Sequence, residues 1–417
     1  MQDKITGLIH HPYTPPEGFA APQPAVHKAS TVIFPNVAAM RSREWKDKSG
    51  YTYGLHGTPT TYLLEERLCA LEGGLQCVLV PSGLAAIAVA SFAVLKPGDE
   101  VLIPDNAYNP GKALAGGELA TFGVTHRFYD AMNPQDLADK ISPKTRLVWV
   151  EAAGSITLEF PDLCEQVRIC KARGVLVAID NTWGAGIAFK PFDLTSGEVR
   201  NPGAAHPLGV DISIHALTKY PSGSGDVLMG SVMTRDASLA RRIKDTHMNF
   251  GLGVGANDAE SVLRGLPSIL LRYDAHDASA RALARWAQTR AEFAQVLNPA
   301  LPGSPGHAHW KSLCGVDSGQ AGDGPGHSAG LFSVIFRDAH TQHEVDTFCD
   351  ALTLFKLGYS WGGPISLVVP YELAMIRPHW PAHLARGTVV RFSIGLEAVA
   401  DLQADLAQAL DVMATSR

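Results

Sequence analysis

A lysine and a carboxylate in this 417-residue chain have the types and surroundings that imine chemistry needs. Lys219 lies in HALTKYPSGSGD, residues 215–226, between an apolar stretch and a loop of Gly and Ser. Because such a lysine loses its proton easily, it can form a Schiff base. Asp180 ends the apolar run VLVAID, and a buried carboxylate there needs a cationic partner such as a protonated ring nitrogen.

A small-residue turn adds a third chemical feature. Ser82 and Gly83 stand between the apolar runs CVLV and AAIAVASFAVL, where backbone N–H groups and a helix dipole suit a phosphate. A phosphate site, a lysine and an aspartate together match pyridoxal 5′-phosphate (PLP), which takes a lysine imine and an Asp on its pyridinium nitrogen. Each feature alone also has an ordinary explanation: a turn, a helix cap or a solvated lysine.

The elements that must position these residues alternate between short apolar runs and helical patterns. Helices are predicted from Thr61 to Gly73-Gly74, over 84–95 and over 162–173. Strands are predicted at 77–80, 100–104, 146–151, 175–180, 211–216 and 227–233. Near-continuous apolar strands separated by helices indicate a largely parallel sheet covered on both faces, with ligands at the carboxyl ends of its strands.

Composition changes divide the chain into three predicted parts. Residues 1–60 are rich in Pro and turn residues and are expected to lie over another surface. Residues 61–262 form the predicted cofactor domain. Residues 263–417 form a smaller α/β domain with strands at LFSVIF and VVRFSIG. The Gly- and Asp-rich residues 315–327 are expected to form a flexible loop.

The bulk properties exclude several classes of partner and location. A net charge of −6 without a long basic run argues against nucleic acid or an anionic membrane as partner. Six cysteines without a C-x-x-C pair fit a reducing compartment. The run AAIAVASFAVL is too short for a membrane span, and the N-terminal residues lack a signal-peptide pattern, so a cytoplasmic location is expected.

The order and spacing of eight motifs resemble the Cys/Met-metabolism family of PLP-dependent enzymes, and within it the cystathionine β-lyase branch. The motifs are YGLHGTPTTYLLEERLCALEGG, PSGLAA, DNAYNP, EAAGSITLE, AIDNTW, ALTKYPSGSGD, YSWGG and VVRFSIGLE. The resemblance implies PLP as cofactor and an aspartate aminotransferase-like α/β fold with a large, mainly parallel domain. It also implies an amino-acid substrate and a homotetramer of dimers that share active sites.

The same resemblance assigns roles to individual residues. The residues implied to hold the cofactor are Lys219 (Schiff base), Asp180 (ring nitrogen), Ser82, Gly83 and Leu84 (backbone to phosphate), Thr218 (hydroxyl), Tyr108 (ring stacking) and Tyr53. Those implied to hold the substrate are Arg391 (α-carboxylate), Ser360, Trp361 and Tyr108. Lys219, Tyr108 and Tyr53 are the implied catalytic residues, with Tyr53 reaching into a neighbouring subunit's site.

One motif departs from the family pattern. Many relatives have a phosphate-binding arginine two residues after the tyrosine that corresponds to Tyr53, and this chain has Leu55 followed by His56. Either His56 partly replaces the arginine, or backbone groups and another basic residue suffice. Somewhat weaker cofactor retention is therefore expected.

Two motifs favour β-elimination over γ-elimination, which needs a second proton abstraction, at Cβ. Residues 154–157 are GSIT, where γ-acting relatives tend to have Asn and Pro, and residues 360–363 are SWGG, with a tryptophan where γ-enzymes are smaller. The expected reaction splits L-cystathionine into homocysteine, pyruvate and ammonia. Because Pro364-Ile365 departs from the usual pattern, a γ-lyase or γ-synthase and a broad cysteine/cystine desulfhydrase stay open.

Other interpretations of the sequence concern its histidines and the possibility of a protein without catalytic activity. The pairs His307/His309 and His379/His383 lack an obvious set of further ligands, so no metal site is expected. A packing or hydrogen-bonding role suits His215, and interface packing suits Tyr51. A non-catalytic binding protein with a PLP fold also stays open, although intact Lys219 and Asp180 argue against it.

Overall fold

The computed structural model describes residues 4–9, 17–42, 48–194, 207–315, 326–377 and 379–415. The strands in these ranges are β1 Gln76–Val80, β2 Glu100–Pro104, β3 Thr125–Tyr129, β4 Thr145–Glu151, β5 Leu176–Asp180, β6 Ile212–Ala216, β7 Gly230–Thr234, β8 Phe293–Leu297, β9 Leu331–Phe336, β10 Lys356–Leu357, β11 Leu367–Tyr371 and β12 Val389–Ser393. The α-helices are α1 Lys4–Ile9, α2 Val37–Ser42, α3 Pro59–Glu72, α4 Gly83–Val94, α5 Asn109–Leu114, α6 Pro134–Lys140, α7 Leu163–Ala172, α8 Ala237–Phe250, α9 Ala256–Gly265, α10 Ile269–Ala287, α11 His307–Cys314, α12 Gln342–Ala351 and α13 Val399–Thr415. Short 3-10 turns cover Gly54–His56, Leu266–Ser268 and Leu373–Met375, and a π-helical turn covers Ala115–Leu119.

The larger sheet has seven strands in the order β1-β7-β6-β5-β4-β2-β3. The pairs from β3 to β6 are parallel, and β7 runs antiparallel to both β1 and β6. The largely parallel sheet expected from the apolar runs is therefore confirmed. Strand β3 was not predicted, because THRFY is an edge strand whose residues are mostly exposed or half-buried.

The smaller sheet has five strands in the order β10-β11-β12-β9-β8. Two of its three interior strands, β12 and β9, are buried along their whole length and correspond to the predicted runs VVRFSIG and LFSVIF. Strands β8, β10 and β11 were not predicted, and β10 is a pair of exposed residues. The domain boundary predicted after residue 262 falls within α9 and stays a prediction.

Two helices of the larger part frame the site. Helix α3 begins two residues earlier than predicted, because Thr58 is the N-cap residue and forms a capping box with Thr61, an arrangement that stabilises a helix by about 1 kcal/mol. It ends at Gly73 in the left-handed conformation, as its sequence predicts. Helix α4 is apolar on all sides, and its buried face packs among β1, β6 and β7.

The described part of residues 1–60 carries more local structure than expected. Helices α1 and α2 and a single bridge between Thr31 and Tyr53 lie within it. Large apolar side chains here remain exposed, among them Ile33, Val37 and Met40. Most of the predicted flexible loop, residues 316–325, lies outside the described residues. Among the described helices, none is both long enough and apolar enough to cross a membrane.

Candidate active site

The carboxyl ends of the parallel strands bring the candidate residues together. Asp180 is the last residue of β5, and its Cα partner across the sheet is Glu151, the last residue of β4. Lys219 follows three residues after the end of β6. Since parallel strands end at one edge of the sheet, these three side chains share one region, as α/β folds require of a ligand site.

Lys219 contacts the loop that the smaller sheet contributes. Its Nζ donates a hydrogen bond to Ser360 Oγ at 2.8 Å and lies 5.5 Å from the centre of the Trp361 ring. Burial and the nearby Arg391 guanidinium lower the pKa of Lys219 to about 8, although Asp180 acts in the opposite direction. An appreciable minority of this amine is therefore neutral near physiological pH and able to act as a nucleophile or base.

Asp180 ends β5 beside a buried polar cluster that joins the end of β5 to β6. Its Oδ1 accepts the Thr182 N–H at 3.0 Å, and burial raises its pKa, as expected for a carboxylate that needs a cationic partner. The next strand carries His215, whose Nδ1 donates to Glu72 Oε1 at 2.8 Å. Glu72 also accepts from Asn181 and Ser213, so the ends of β5 and β6 are tied together.

The turn before α4 leaves no room for larger side chains. Ser82 Oγ caps the helix by accepting the Ala85 N–H at 3.0 Å. A Cβ at Gly83 would lie 2.7 Å from the Ala216 Cβ, and a Cβ at Gly230 would lie 2.3 Å from Ser82 O. These two glycines let the helix N-terminus sit against the end of β6. Thr218 Oγ1 accepts the Met229 N–H at 3.3 Å, and Leu84 is exposed.

Tyr108 projects from the loop after β2 and is 41% exposed. Its backbone N–H donates to Glu151 Oε2 at 2.9 Å. Burial and the adjacent Asp180 raise the pKa of Glu151 well above its usual value. Sequence reasoning missed Glu151, although a charged residue that ends the apolar run RLVWVE was a usable signal.

Arg391 lies on β12 and faces the same region from the smaller sheet. It is buried, its Nη1 donates to Ser155 O at 2.9 Å, and its guanidinium carbon lies 5.4 Å from the centre of the Tyr371 ring. Its charge also acts on Lys219 and Tyr108, which puts all three groups within electrostatic range. A buried guanidinium of this kind suits a carboxylate ligand.

The SWGG loop, residues 360–363, packs against Lys219 and Tyr220. Ser360 has a φ of 153°, and Gly362 has a φ of 78°. A Cβ at Gly362 would lie only 3.0 Å from Tyr220 N. The Trp361 ring lies 5.5 Å from the Tyr220 ring. Because Gly362 is needed for this close approach, the loop is built to hold Ser360 and Trp361 against Lys219.

These residues fit a bound PLP on structural grounds: a lysine with a lowered pKa, a buried carboxylate at a strand end, and a helix N-terminus packed close by two glycines. The family model for "Cys/Met metabolism PLP-dependent enzyme" matches residues 5–411. This chain belongs to that family. The family uses PLP, so the predicted cofactor is confirmed.

Relatives within the family carry more than one activity. A putative cystathionine β-lyase of Rhizobium johnstonii is 38% identical over 97% of this chain and 94% of its own. A cystathionine β-lyase of Bordetella avium is 36% identical over 98% and 97%. An L-alanine/L-glutamate racemase of Wolbachia pipientis is 30% identical over 93% and 92%.

Solved structures extend the likeness to the fold. The structure of cystathionine gamma synthase from Xanthomonas oryzae pv. oryzae in complex with aminoacrylate and cysteine has a TM-score of 0.85 against this chain at 27% identity. The alignment covers all of both chains. The predicted α/β fold of this PLP-dependent family is confirmed.

Tyr53 lies apart from the lysine cluster. Its hydroxyl accepts from Ser30 Oγ at 3.4 Å, and its ring stands 6.1 Å from the His56 ring. The His56 Nδ1 pairs with the Thr52 hydroxyl at 2.7 Å. Within the described part of one chain, no contact joins Tyr53 to Lys219, so its role in a neighbouring subunit stays a prediction.

The histidine pairs have structural partners. His307 Nδ1 donates to Pro299 O at 2.9 Å, and His383 pairs with Glu159. Across the described ranges, no group of three or more His, Cys, Asp or Glu side chains is placed to hold a metal ion. The six cysteines are free thiols.

Proposed function

We propose that this family member catalyses the β-elimination of L-cystathionine to homocysteine, pyruvate and ammonia, a step of methionine biosynthesis. The observation that carries the proposal is the contact of Lys219 with Ser360 and Trp361, because the SWGG loop is the segment that resembles the β-lyase branch. The β-lyase names of the relatives at 36–38% identity support it.

The binding groups act from opposite sides of the site. When bound, PLP supplies an aldehyde for the substrate amine and a ring that takes up the electron pair released at Cα. Asp180 would balance the charge of the ring nitrogen, and Tyr108 would cover the ring face and exclude water. Arg391 binds the α-carboxylate through its planar fork and thereby orients the Cα–H bond toward Lys219.

Lys219 moves the protons of the reaction. Its Nζ, with a pKa near 8, removes the Cα proton and then donates a proton to the sulfur that leaves Cβ. Ser360 Oγ accepts from the same nitrogen at 2.8 Å and fixes its direction. Hydrolysis of the remaining three-carbon fragment releases pyruvate and ammonia, so cystathionine and one water give three products.

Two other activities are compatible with the same site. The gamma synthase structures match the whole chain, so γ-chemistry of the same substrate is the second candidate. A broad cysteine/cystine desulfhydrase shares β-elimination and differs only in the group on sulfur, and small pocket shifts decide such preferences.

The assembly belongs to the same proposal. A homotetramer of dimers, located in the cytoplasm, would cover the exposed Ile33, Val37 and Met40 and carry Tyr53 into the neighbouring site. These three exposed apolar residues are close in sequence, and clustered exposed apolar side chains are typical of an interaction surface, which supports a second copy as the partner of this segment.

The test is product analysis. PLP-loaded protein is incubated with L-cystathionine, and the keto acid and thiol are identified by mass spectrometry. Pyruvate with homocysteine supports the proposal, whereas 2-oxobutyrate with cysteine assigns the protein to γ-elimination. Absence of either pair, with L-cystine giving pyruvate, assigns it to the desulfhydrases.

A further inference from the structure

A buried charge cluster beside the site joins the two halves of the molecule. Arg377 follows β11 of the smaller sheet, and its side chain is 2% exposed. Its Nη2 lies 2.6 Å from Asp105 Oδ2, just past the end of β2, and its Nη1 lies 2.8 Å from Glu159 Oε2. One guanidinium therefore holds two carboxylates from two different loops of the larger part.

Glu159 is the centre of this cluster. Besides Arg377 and His383, its carboxylate accepts from Asn106 Nδ2 at 2.9 Å and Thr157 Oγ1 at 2.7 Å. Burial alone would raise the pKa of Glu159, but His383, Arg377 and Thr157 hold it at about 2. The carboxylate is therefore ionised at physiological pH, and the cluster keeps its charges.

A second buried cation spans the same gap. Lys112, on α5, donates from Nζ to Asp105 O at 3.0 Å and to Ile376 O at 2.8 Å. Lys112 thus joins the backbone carbonyl of Ile376, the residue before Arg377, to that of Asp105, which Arg377 also binds. Two independent bridges between the same segments indicate a fixed spacing.

Both carboxylates lead directly to groups of the active site. Asp105 stands three residues before Tyr108 in the loop after β2. Glu159 closes the 154–159 loop, whose Ser155 N–H donates to Asn106 O at 3.1 Å and whose Ser155 O accepts from Arg391. Gly154 permits this packing, since a Cβ there would lie 2.4 Å from Asn106 Nδ2.

We propose that Arg377 is a positioning residue that fixes the spacing between Tyr108 and Arg391 through Asp105 and Glu159. It lies in the cluster without contacting Lys219 or Asp180 among the contacts of the described residues. A planar fork can bind two carboxylates at once, and an ammonium cannot reproduce that geometry. A displacement of about 1 Å in a positioning group can cost roughly 10²-fold in rate. The inference rests on the proposed carboxylate-binding role of Arg391.

The test compares amines with and without a carboxylate, so it does not depend on β-elimination. Dissociation constants of glycine and methylamine are measured from the change in cofactor absorbance of PLP-loaded protein. Arg377→Lys is expected to reduce the preference for glycine by about tenfold or more, because Arg391 shifts with Ser155. Asp105→Asn, which keeps an acceptor oxygen, is expected to give a smaller loss and serves if Arg377→Lys does not fold.

The matched control is Arg127→Lys, which alters a bidentate arginine–carboxylate pair at the opposite end of β2. It is expected to keep the wild-type preference. Folded Arg377→Lys or Asp105→Asn protein that retains the wild-type preference would overturn the inference, as would an equal loss in Arg127→Lys. If cystathionine gives no β-elimination while these ratios behave as expected, only the proposed reaction fails.

Discussion

Strand β2 has an arginine–carboxylate pair at each end, and the two pairs differ in reach and burial. At its amino end, Glu100 is bound by Arg127 of the adjacent strand β3, and the Arg127 side chain is 45% exposed. Just past its carboxyl end, Asp105 is bound by Arg377, which is 272 residues away in sequence and 2% exposed. The first pair joins neighbours within one sheet, and the second joins the two sheets.

The difference in burial between the two pairs indicates how much each one affects the stability and the geometry of the sheet. In the first pair the Arg127 side chain is partly exposed, and Ser142 and Thr145 also donate to the buried Glu100 carboxylate, so loss of Arg127 leaves that carboxylate with other partners. A buried pair is costly to break, because the remaining charge has no partner. The carboxyl end also carries Lys219 and Asp180, so under the proposed function positional accuracy there would affect chemistry as well as stability.

The largest effect on turnover is expected from a substitution just past the carboxyl end of β6, and none from one near its amino end. Lys219→Ala should lower kcat for L-cystathionine by roughly 10³-fold or more and remove the absorbance of the cofactor–lysine bond, because base and attachment point are lost together. Lys171→Ala, which breaks a surface pair with Asp211 near the amino end, should leave both unchanged. Turnover that survives Lys219→Ala in a steady-state assay would contradict the proposed mechanism.

A smaller effect is expected at the substrate carboxylate. Arg391→Lys keeps the charge but loses the fork, so KM for L-cystathionine should rise by about 10- to 100-fold with a lesser change in kcat. Steady-state kinetics over a range of substrate concentrations separate the two constants. An unchanged KM would show that another group binds the carboxylate.

The lowered pKa of Lys219 predicts a pH dependence of cofactor loading. Only the neutral amine attacks an aldehyde, so the rate of PLP attachment to apoenzyme should rise with pH and level off above about 8. Stopped-flow absorbance across pH 6–10 measures this rate. A rise that continues toward pH 10, the range of an exposed lysine, would mean that the buried setting of Lys219 does not tune it.

The smallest expected effect lies at the amino end of β2. Burial opposes ionisation of Glu100, but hydrogen bonds from Arg127, Thr145 and Ser142 lower its pKa overall. Its contribution is therefore present above the unfolded-state pKa of about 4.3 and is lost as pH falls below it. Arg127→Ala should reduce unfolding free energy by about 1 kcal/mol at pH 7 and by less near pH 3, with kcat unchanged.

Urea unfolding at the two pH values, beside a kcat measurement, checks this prediction. A loss of kcat comparable to that of Lys219→Ala would erase the distinction between the two ends of the sheet. An equal loss of stability at both pH values would instead show that Arg127 acts through packing and not through Glu100.

Local sequence patterns predicted most strands of the larger sheet and suggested the residues at the centre of the candidate site. Apolar runs predicted β2, β4, β5 and β6, because strands buried on both faces are continuous in hydrophobicity. Edge strand β3 lacked that signal because it is half solvated. The candidate residues near Lys219 and Asp180 could be proposed because they lie in short motifs, several of them at strand ends.

Residues whose partners are distant in sequence escaped prediction. Arg377 and Glu159 are 218 residues apart, and His215 and Glu72 are 143 residues apart, so no local pattern pairs them. A buried ion pair is specified by tertiary packing, which sequence spacing does not reveal. The role of Tyr53 requires a second subunit and stays a prediction for the same reason.

Whether Lys219, at the carboxyl ends of the sheet, carries the cofactor can be tested directly. PLP-loaded protein is reduced with borohydride, digested, and mapped by mass spectrometry to find the lysine that carries the pyridoxyl group. The modification is expected on the peptide that contains Lys219. Modification of another lysine, such as the buried Lys112 or Lys244, with Lys219 unmodified, would contradict it.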